Sequence, residues 1–205
     1  MSRKDKLVVL SIFLLTPVLL TFIIWPNLSK VMMGEVEDLA PPEEINMVRE
    51  TAEDGVVTQM IDASQPVWVY FSFKNGVIEE ARGKEAFLND EWDLAFQRKR
   101  FLTNSGGLNP DGKVSVFRVE GADFSSNLAV PSEGFVLNGR KKTKIENPMT
   151  QRWYSYNFLK HKLTPKRDVY FIKTHADKVV KMKIENYYCG QDNTSACYTI
   201  KYKWL

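Results

Sequence analysis

Cysteine and histidine are scarce in this chain, two of each in 205 residues. The two cysteines are not spaced with the two histidines as zinc fingers require, which excludes a zinc-held fold. Glycine is also sparse, at 11 residues. No phosphate-binding glycine loop, no G-x-S-x-G and no H-E-x-x-H occurs, so nucleotide-binding, serine-hydrolase and zinc-peptidase classes are excluded at the level of motif. There is no internal repeat and no long amphipathic helical pattern. Paired carboxylates can serve acid–base chemistry. Glu91 and Asp93 flank Trp92 on a predicted strand and point the same way. They read as an edge feature or as salt-bridge partners of Arg98 or Arg100, and no enzyme is expected. The basic clusters Arg98-Lys99-Arg100 and Arg140-Lys141-Lys142 read as solvated charge or as a contact with anionic lipid, and no nucleic-acid partner is expected.

What is present is alternation. Val180, Met182 and Ile184 alternate with charged residues, and Tyr198, Ile200, Tyr202 and Trp204 do the same. Period-two patterns mark half-buried antiparallel strands. A polar stretch, Gly190 to Ser195, separates them. If Cys189 stands opposite Cys197, Ile184 faces Tyr202 and Met182 faces Trp204. Every apolar residue then meets an apolar partner, whereas a one-residue slip breaks the match. This pairing predicts a Cys189–Cys197 disulfide rather than two free thiols, and with it an oxidising compartment.

Further strands are predicted at Val56–Asp62, Val67–Phe73, Trp92–Arg98, Val114–Val119 and Val169–Lys173. Trp92, Leu94 and Phe96 are expected on one face, and Asn75-Gly76 signals a hairpin turn. Thr103–Gly112 reads as a loop and Leu137–Asn147 as a polar, basic excursion. Tyr154, Tyr156 and Phe158 alternate on one face, ahead of Pro165. The class is mainly β and antiparallel, and 12% of the chain is aromatic.

Leu7–Trp25 is a 19-residue apolar run without a charge, preceded by Arg3, Lys4 and Lys6. It is long enough to span a bilayer. The flanking cations orient the C-terminus outward. No A-x-A site follows, so residues 1–26 read as an uncleaved signal anchor rather than a cleaved signal peptide. Residues 27–55 read as an acidic, Pro-containing tether, with a short helix expected at Ile45–Ala52. Up to Val56 there are 5 basic and 9 acidic residues, a net of −4; beyond it there are 23 and 16, a net of +7. That shift sets the start of a β domain at residue 56, running to 205. The expected location is a single-pass membrane protein with its C-terminal domain periplasmic or extracellular.

Three stretches together resemble one family. They are Trp68-Val-Tyr-Phe-Ser-Phe73 with Gly76; Trp92-Asp-Leu-Ala-Phe-x-Arg98 leading to Thr103-Asn-Ser-Gly-Gly107; and Trp153-Tyr154 through Leu163-x-Pro165 to Val169-Tyr-Phe-Ile172 and the Lys181–Tyr188 strand. In order and spacing the chain, from about Val56 to Trp204, is similar to the HmuY family of bacterial haem-binding proteins. The resemblance implies a mainly antiparallel β fold, an extracytoplasmic place, and capture of haem for delivery to an outer-membrane haem transporter or another envelope protein. In that family two histidines, or methionines, hold the iron. One ligand falls just after a W-x-x-[FY]-x pattern, where this chain has Phe158 and, three residues on, His161. The other falls before Trp153, where the chain has Met149. Imidazole and thioether both ligate haem iron. The resemblance therefore implies Met149 and His161 as the axial pair. Tyr154, Tyr156 and Phe158 would either line an apolar haem face or belong to the core of the sheet. Arg98, Arg100 or Lys160 would meet the propionates, and His175 would be an exposed turn residue. A second reading stays open, in which the domain keeps the fold for a structural or protein-interaction role and has lost haem.

Overall fold

β-Branched and aromatic residues dominate the alternating segments, and each such segment becomes a strand because that composition suits a pleated surface buried on one face. The computed structural model describes residues 49–78, 81, 88–190 and 193–205. The expected anchor and residues 27–48 of the expected tether lie outside the described residues. Among the described residues no helix is long and apolar enough to cross a membrane.

Fourteen strands are described: Arg49–Thr51 (β1), Val57–Asp62 (β2), Val69–Ser72 (β3), Gly76–Ile78 (β4), Leu94–Gln97 (β5), Arg100–Thr103 (β6), Ser115–Val119 (β7), Gly139–Lys141 (β8), Lys144–Glu146 (β9), Tyr154–Asn157 (β10), Lys162–Pro165 (β11), Val169–Lys173 (β12), Val179–Cys189 (β13) and Thr194–Trp204 (β14). They form a six-stranded sheet in the order β1-β2-β14-β13-β12-β7 and a four-stranded sheet in the order β4-β3-β5-β6, with β8-β9 and β10-β11 as two-stranded hairpins. Every pairing is antiparallel. The expected class is therefore met over the described residues. Of the expected helix at Ile45–Ala52, residues 45–48 lie outside the described residues, and the rest is not helical, because Arg49–Thr51 pairs with Val57–Gln59 as an edge strand. The edge is held by its hydrogen bonds to β2 and by the Arg49 guanidinium, which donates to the Phe73 and Lys74 carbonyls.

The core forms where aromatic side chains of the two larger sheets meet. Phe71 and Phe73 lie 5.9 and 5.1 Å from Tyr202, Phe96 lies 4.9 Å from Tyr198, and Phe101 lies 5.5 Å from Tyr170. Such pairs add about 0.5–1.5 kcal/mol each beyond the area they bury. Two of the buried phenols find carbonyl partners: Tyr198 donates to Arg98 at 2.7 Å and Tyr202 to Phe73 at 3.2 Å.

Two details differ from the expected pattern. In the β13–β14 hairpin Met182 faces Tyr202 and Ile184 faces Ile200, with shifts between Ile184 and Asn186 and between Asn186 and Tyr188. Cys189 faces Thr194, yet the Cys189–Cys197 disulfide is present, with a Cα–Cα distance of 5.6 Å. The register differs from the expected one by two residues. A two-residue offset keeps every side chain on its face, so alternation could not distinguish the two. Bulges absorb the difference at the cysteine end. Second, Trp92 does not share the face of Leu94 and Phe96. It packs with Tyr70 and Ala95 in a separate small cluster, 5.0 Å from the Tyr70 ring. Strand β5 starts only at Leu94, so its period does not extend back to Trp92.

Candidate haem site

The most family-specific segment, Thr103-Asn-Ser-Gly-Gly107, builds scaffold. Asn104 donates through Nδ2 to the Asn89 and Trp92 carbonyls at 2.7 and 2.8 Å, and its Oδ1 accepts from Asn109 at 2.8 Å. Gly106 has φ +50°, and a Cβ there would come within 2.1 Å of the Asn138 carbonyl oxygen. At Gly107 a Cβ would stand 3.0 Å from the Gly139 carbonyl oxygen. Asn138, fully buried, accepts at Oδ1 from the Thr103 hydroxyl (3.0 Å) and from Asn147 Nδ2 (3.2 Å). The two glycines thus let the β6 loop lie directly on the base of the β8–β9 hairpin. The Leu137–Asn147 excursion is that hairpin.

Strands β10 and β11 form the second excursion. Tyr154 pairs with Pro165 and Asn157 with Lys162, and the chain turns through Phe158–His161. Asn157 Oδ1 accepts from the Lys160 amide at 3.0 Å, and His161 closes the turn with φ 49°. Asn tolerates this local bonding well, and a non-glycine left-handed residue is uncommon. The Lys166 amide donates to the Trp153 carbonyl at 2.8 Å and closes the base of the hairpin, while the Leu163 amide donates to the Tyr188 hydroxyl at 2.7 Å and the Trp153 indole to the Lys99 carbonyl at 3.0 Å, which fixes the hairpin to the domain.

These elements divide the expected site residues into two groups. Tyr156, Phe158 and His161 meet at the hairpin tip. The Tyr156 hydroxyl lies 2.8 Å from His161 Nδ1, and the His161 ring centroid is 5.9 Å from that of Phe158. Tyr156 and Phe158 are 43% and 55% exposed, so they are not core, although their alternation was equally compatible with burial. Met149 and Tyr154 instead pack against the main core. Tyr154 lies 5.0 Å from Trp153, and burial raises its phenol pKa. The Met149 amide is held by Asn147 Oδ1 at 3.0 Å. Met149 and His161 therefore belong to different sets of contacts.

Beside the second group lies a basic cleft of about 380 Å³, lined by Lys99, Arg100, Lys144, Arg152, Trp153 and Tyr154 among others. Arg100 is already engaged there. It donates to the Ile145 carbonyl at 3.2 Å and lies 5.2 Å over the Trp68 ring. Arg98 donates to the Ser64 carbonyl at 2.8 Å, and neither guanidinium pairs with Glu91 or Asp93 as a salt bridge.

Sequence reasoning missed a larger cleft, about 700 Å³, where the Trp92 segment meets the β12–β13 turn. Asp93 is buried there and accepts from the Phe73 amide at 2.9 Å. Burial raises its carboxyl pKa, against the opposing pull of the Phe73 hydrogen bond, the His175 charge and Ser72. Glu91 is exposed, so the two carboxylates do not act as a pair. His175 is not an exposed turn residue. Its Nδ1 stands 3.9 Å from Asp90, and its Nε2 is buried without a hydrogen-bond partner. No local signal in the sequence brings Asp93 and His175 together. Among the described residues no group of three or more His, Cys, Asp or Glu side chains is placed to hold a metal ion.

The fold has solved counterparts. The HmuY-like heme binding protein of Bacteroides vulgatus is 17% identical, with a TM-score of 0.58 over 78% of this chain and 97% of that one. A Bacteroides fragilis lipoprotein is 18% identical, with a TM-score of 0.54 over 78% and 97%. The apo HmuY analog of Tannerella forsythia is 13% identical, with a TM-score of 0.57 over 80% and 99%. No curated protein matches the chain significantly. At these identities the likeness speaks for the fold. The HmuY protein family itself matches residues 64–202, which is most of the chain and nearly all of the β domain, and the chain belongs to that family.

Proposed function

We propose that this chain is a non-enzymatic, extracytoplasmic haem-binding protein, held at a membrane by its N-terminal apolar run, that captures haem or passes it to an envelope partner. HmuY-family proteins bind haem, and the family match covers both hairpin excursions. The observation that carries the reading for this chain is the tip of β10–β11, where an exposed imidazole is oriented by Tyr156 beside the Phe158 ring. A metal-ligating histidine commonly donates its other ring N–H to a neighbouring acceptor. In the tautomer protonated at Nδ1, His161 donates to the Tyr156 hydroxyl oxygen, which leaves the Nε2 lone pair for iron. The donor chemistry fits a haem ligand. Met149, whose thioether is a workable second ligand, packs against the main core, as does Tyr154; Tyr154 lines the basic cleft, where Lys99, Lys144 and Arg152 are cations suited to propionates.

Titrating hemin into the protein with the disulfide intact tests this. A saturable one-to-one Soret change at micromolar hemin is expected. His161→Ala should weaken it by at least about tenfold, and Tyr156→Phe, which removes the Nδ1 partner, by a smaller factor. A flat or non-saturating response refutes the reading. The separation of Met149 from His161 into two sets of contacts favours the alternative in one respect, namely a structural or interaction domain that retains the fold without haem. A hemin response that fails to saturate, alike in wild type, His161→Ala and Met149→Ala, would favour that alternative.

A further inference from the structure

We propose that the β10–β11 tip is a docking surface for an anionic lipid bilayer. The inference does not depend on haem, because it rests on Leu159 and the lysines rather than on the iron-facing side of His161. Leu159 is 89% exposed and Phe158 55%, side by side at the end of a hairpin that belongs to neither larger sheet. Exposed large apolar side chains gathered at one point mark a site of interaction. The charge around them has one sign. From Met149 to Arg167 the chain holds Arg152, Lys160, Lys162, Lys166 and Arg167 and no acidic residue. Glu185, an acid of strand β13 on which the hairpin rests, is already paired with Lys183 and Lys201.

Lys160 and Lys162 flank the apolar tip, and Arg152, Lys166 and Arg167 lie at the base of the hairpin; an apolar, aromatic tip with cations beside and behind it matches the interfacial zone of a membrane, where rings and alkyl groups enter below the headgroups and cations meet lipid phosphates. Each cation near an anionic leaflet adds to the attraction, and salt screens it. The tip is preset for this role: Asn157 holds the Lys160 amide, His161 fixes the turn, and Tyr188 and Trp153 hold its base, so little ordering remains on docking. The charge-free run Leu7–Trp25 lies in the same chain. If it spans a bilayer, lipid is always within reach of the domain.

The test uses the full chain carrying Leu159→Cys, labelled with an environment-sensitive fluorophore while Cys189 and Cys197 remain bonded to each other and unreactive. The protein is reconstituted into phosphatidylcholine vesicles with or without phosphatidylglycerol, and no hemin is added. A blue shift of the tip probe only on the phosphatidylglycerol vesicles is expected, reversed by high salt. The same label at the exposed Ser132→Cys should stay water-like. Lys160→Glu with Lys162→Glu should cut the shifted fraction by at least about tenfold. A tip probe that stays water-like on anionic vesicles, shifts equally on neutral ones, or shifts together with the Ser132 probe overturns the proposal. So does a shift that needs an added envelope protein. The hemin titration, run without vesicles, stands or falls separately.

Discussion

At the residue scale, the side chains that reveal the family are the ones the fold cannot spare. Gly106 sits in a left-handed conformation against the Asn138 carbonyl. Gly106→Ala should cost about 3 kcal/mol or more, because both the backbone conformation and the close approach forbid a Cβ. Asn138→Ala removes an acceptor for Thr103 and Asn147 and a donor to the Thr103 and Ser105 carbonyls. A loss of about 3 kcal/mol is expected from the buried groups left unpaired. Urea denaturation measures both. Asp93 makes a prediction about pH. Burial raises its folded-state pKa above the unfolded value, so the ionised form opposes folding. That penalty is present above the folded pKa and is relieved as pH falls toward the unfolded one. Wild type should therefore gain stability relative to Asp93→Asn on going from neutral pH into the carboxylate range, since the other acids cancel in the comparison. Asp93→Ala should lose about 2 kcal/mol at neutral pH through the orphaned Phe73 amide. These roles were only half legible in the sequence. The T-N-S-G-G segment announced itself as a loop and a family mark, but the atom each residue contacts lies elsewhere in the chain.

At the element scale, the strands were legible and their limits were not. Period-two alternation placed β2, β7, β13 and β14, whereas short continuous apolar runs placed β3 and β12, which are buried on both faces. Alternation could not choose between registers two residues apart, nor place the end of β10. Tyr154, Tyr156 and Phe158 alternate without a break, while the chain turns at Phe158 through the local chemistry of Asn157 and the left-handed His161. The expected excursion Leu137–Asn147 proved to be a hairpin, since its basic residues carry no apolar period to signal strands. The β13–β14 disulfide closes a loop with a sequence separation of 8. Replacing Cys189 and Cys197 together by alanine should lower stability by about 2.5 kcal/mol in the loop-entropy model. The paired end around Ile184 and Ile200 should keep its hydrogen-exchange protection, because the bulges isolate it from the cysteine end.

At the scale of the whole molecule, one aromatic core joins the two larger sheets. Tyr70, Tyr170, Tyr187 and Tyr198 have phenol pKa values raised chiefly by burial. As pH climbs past the ordinary phenol range near about 10, the unfolded chain releases these protons and the folded one retains them. Stability should therefore fall as pH rises there. A tyrosinate absorbance titration should show these four ionising only with unfolding, and reversible ionisation of all eight tyrosines in the folded state would contradict it. The pairing of Phe71, Phe96 and Phe101 with partners on the other sheet was not legible, because it joins segments far apart in the chain. The clefts escaped notice for the same reason. The hairpin β10–β11 belongs to neither large sheet and is held by the Tyr188 hydroxyl and by the Trp153 indole on the Lys99 carbonyl. Its tip residues support nothing beneath them. Substitutions at Phe158 and Leu159 should cost folding little, whereas those at Gly106 and Asn138 should cost much. What the tip recognises can thus be altered while the frame, which counterparts only 13–18% identical also share, stays fixed.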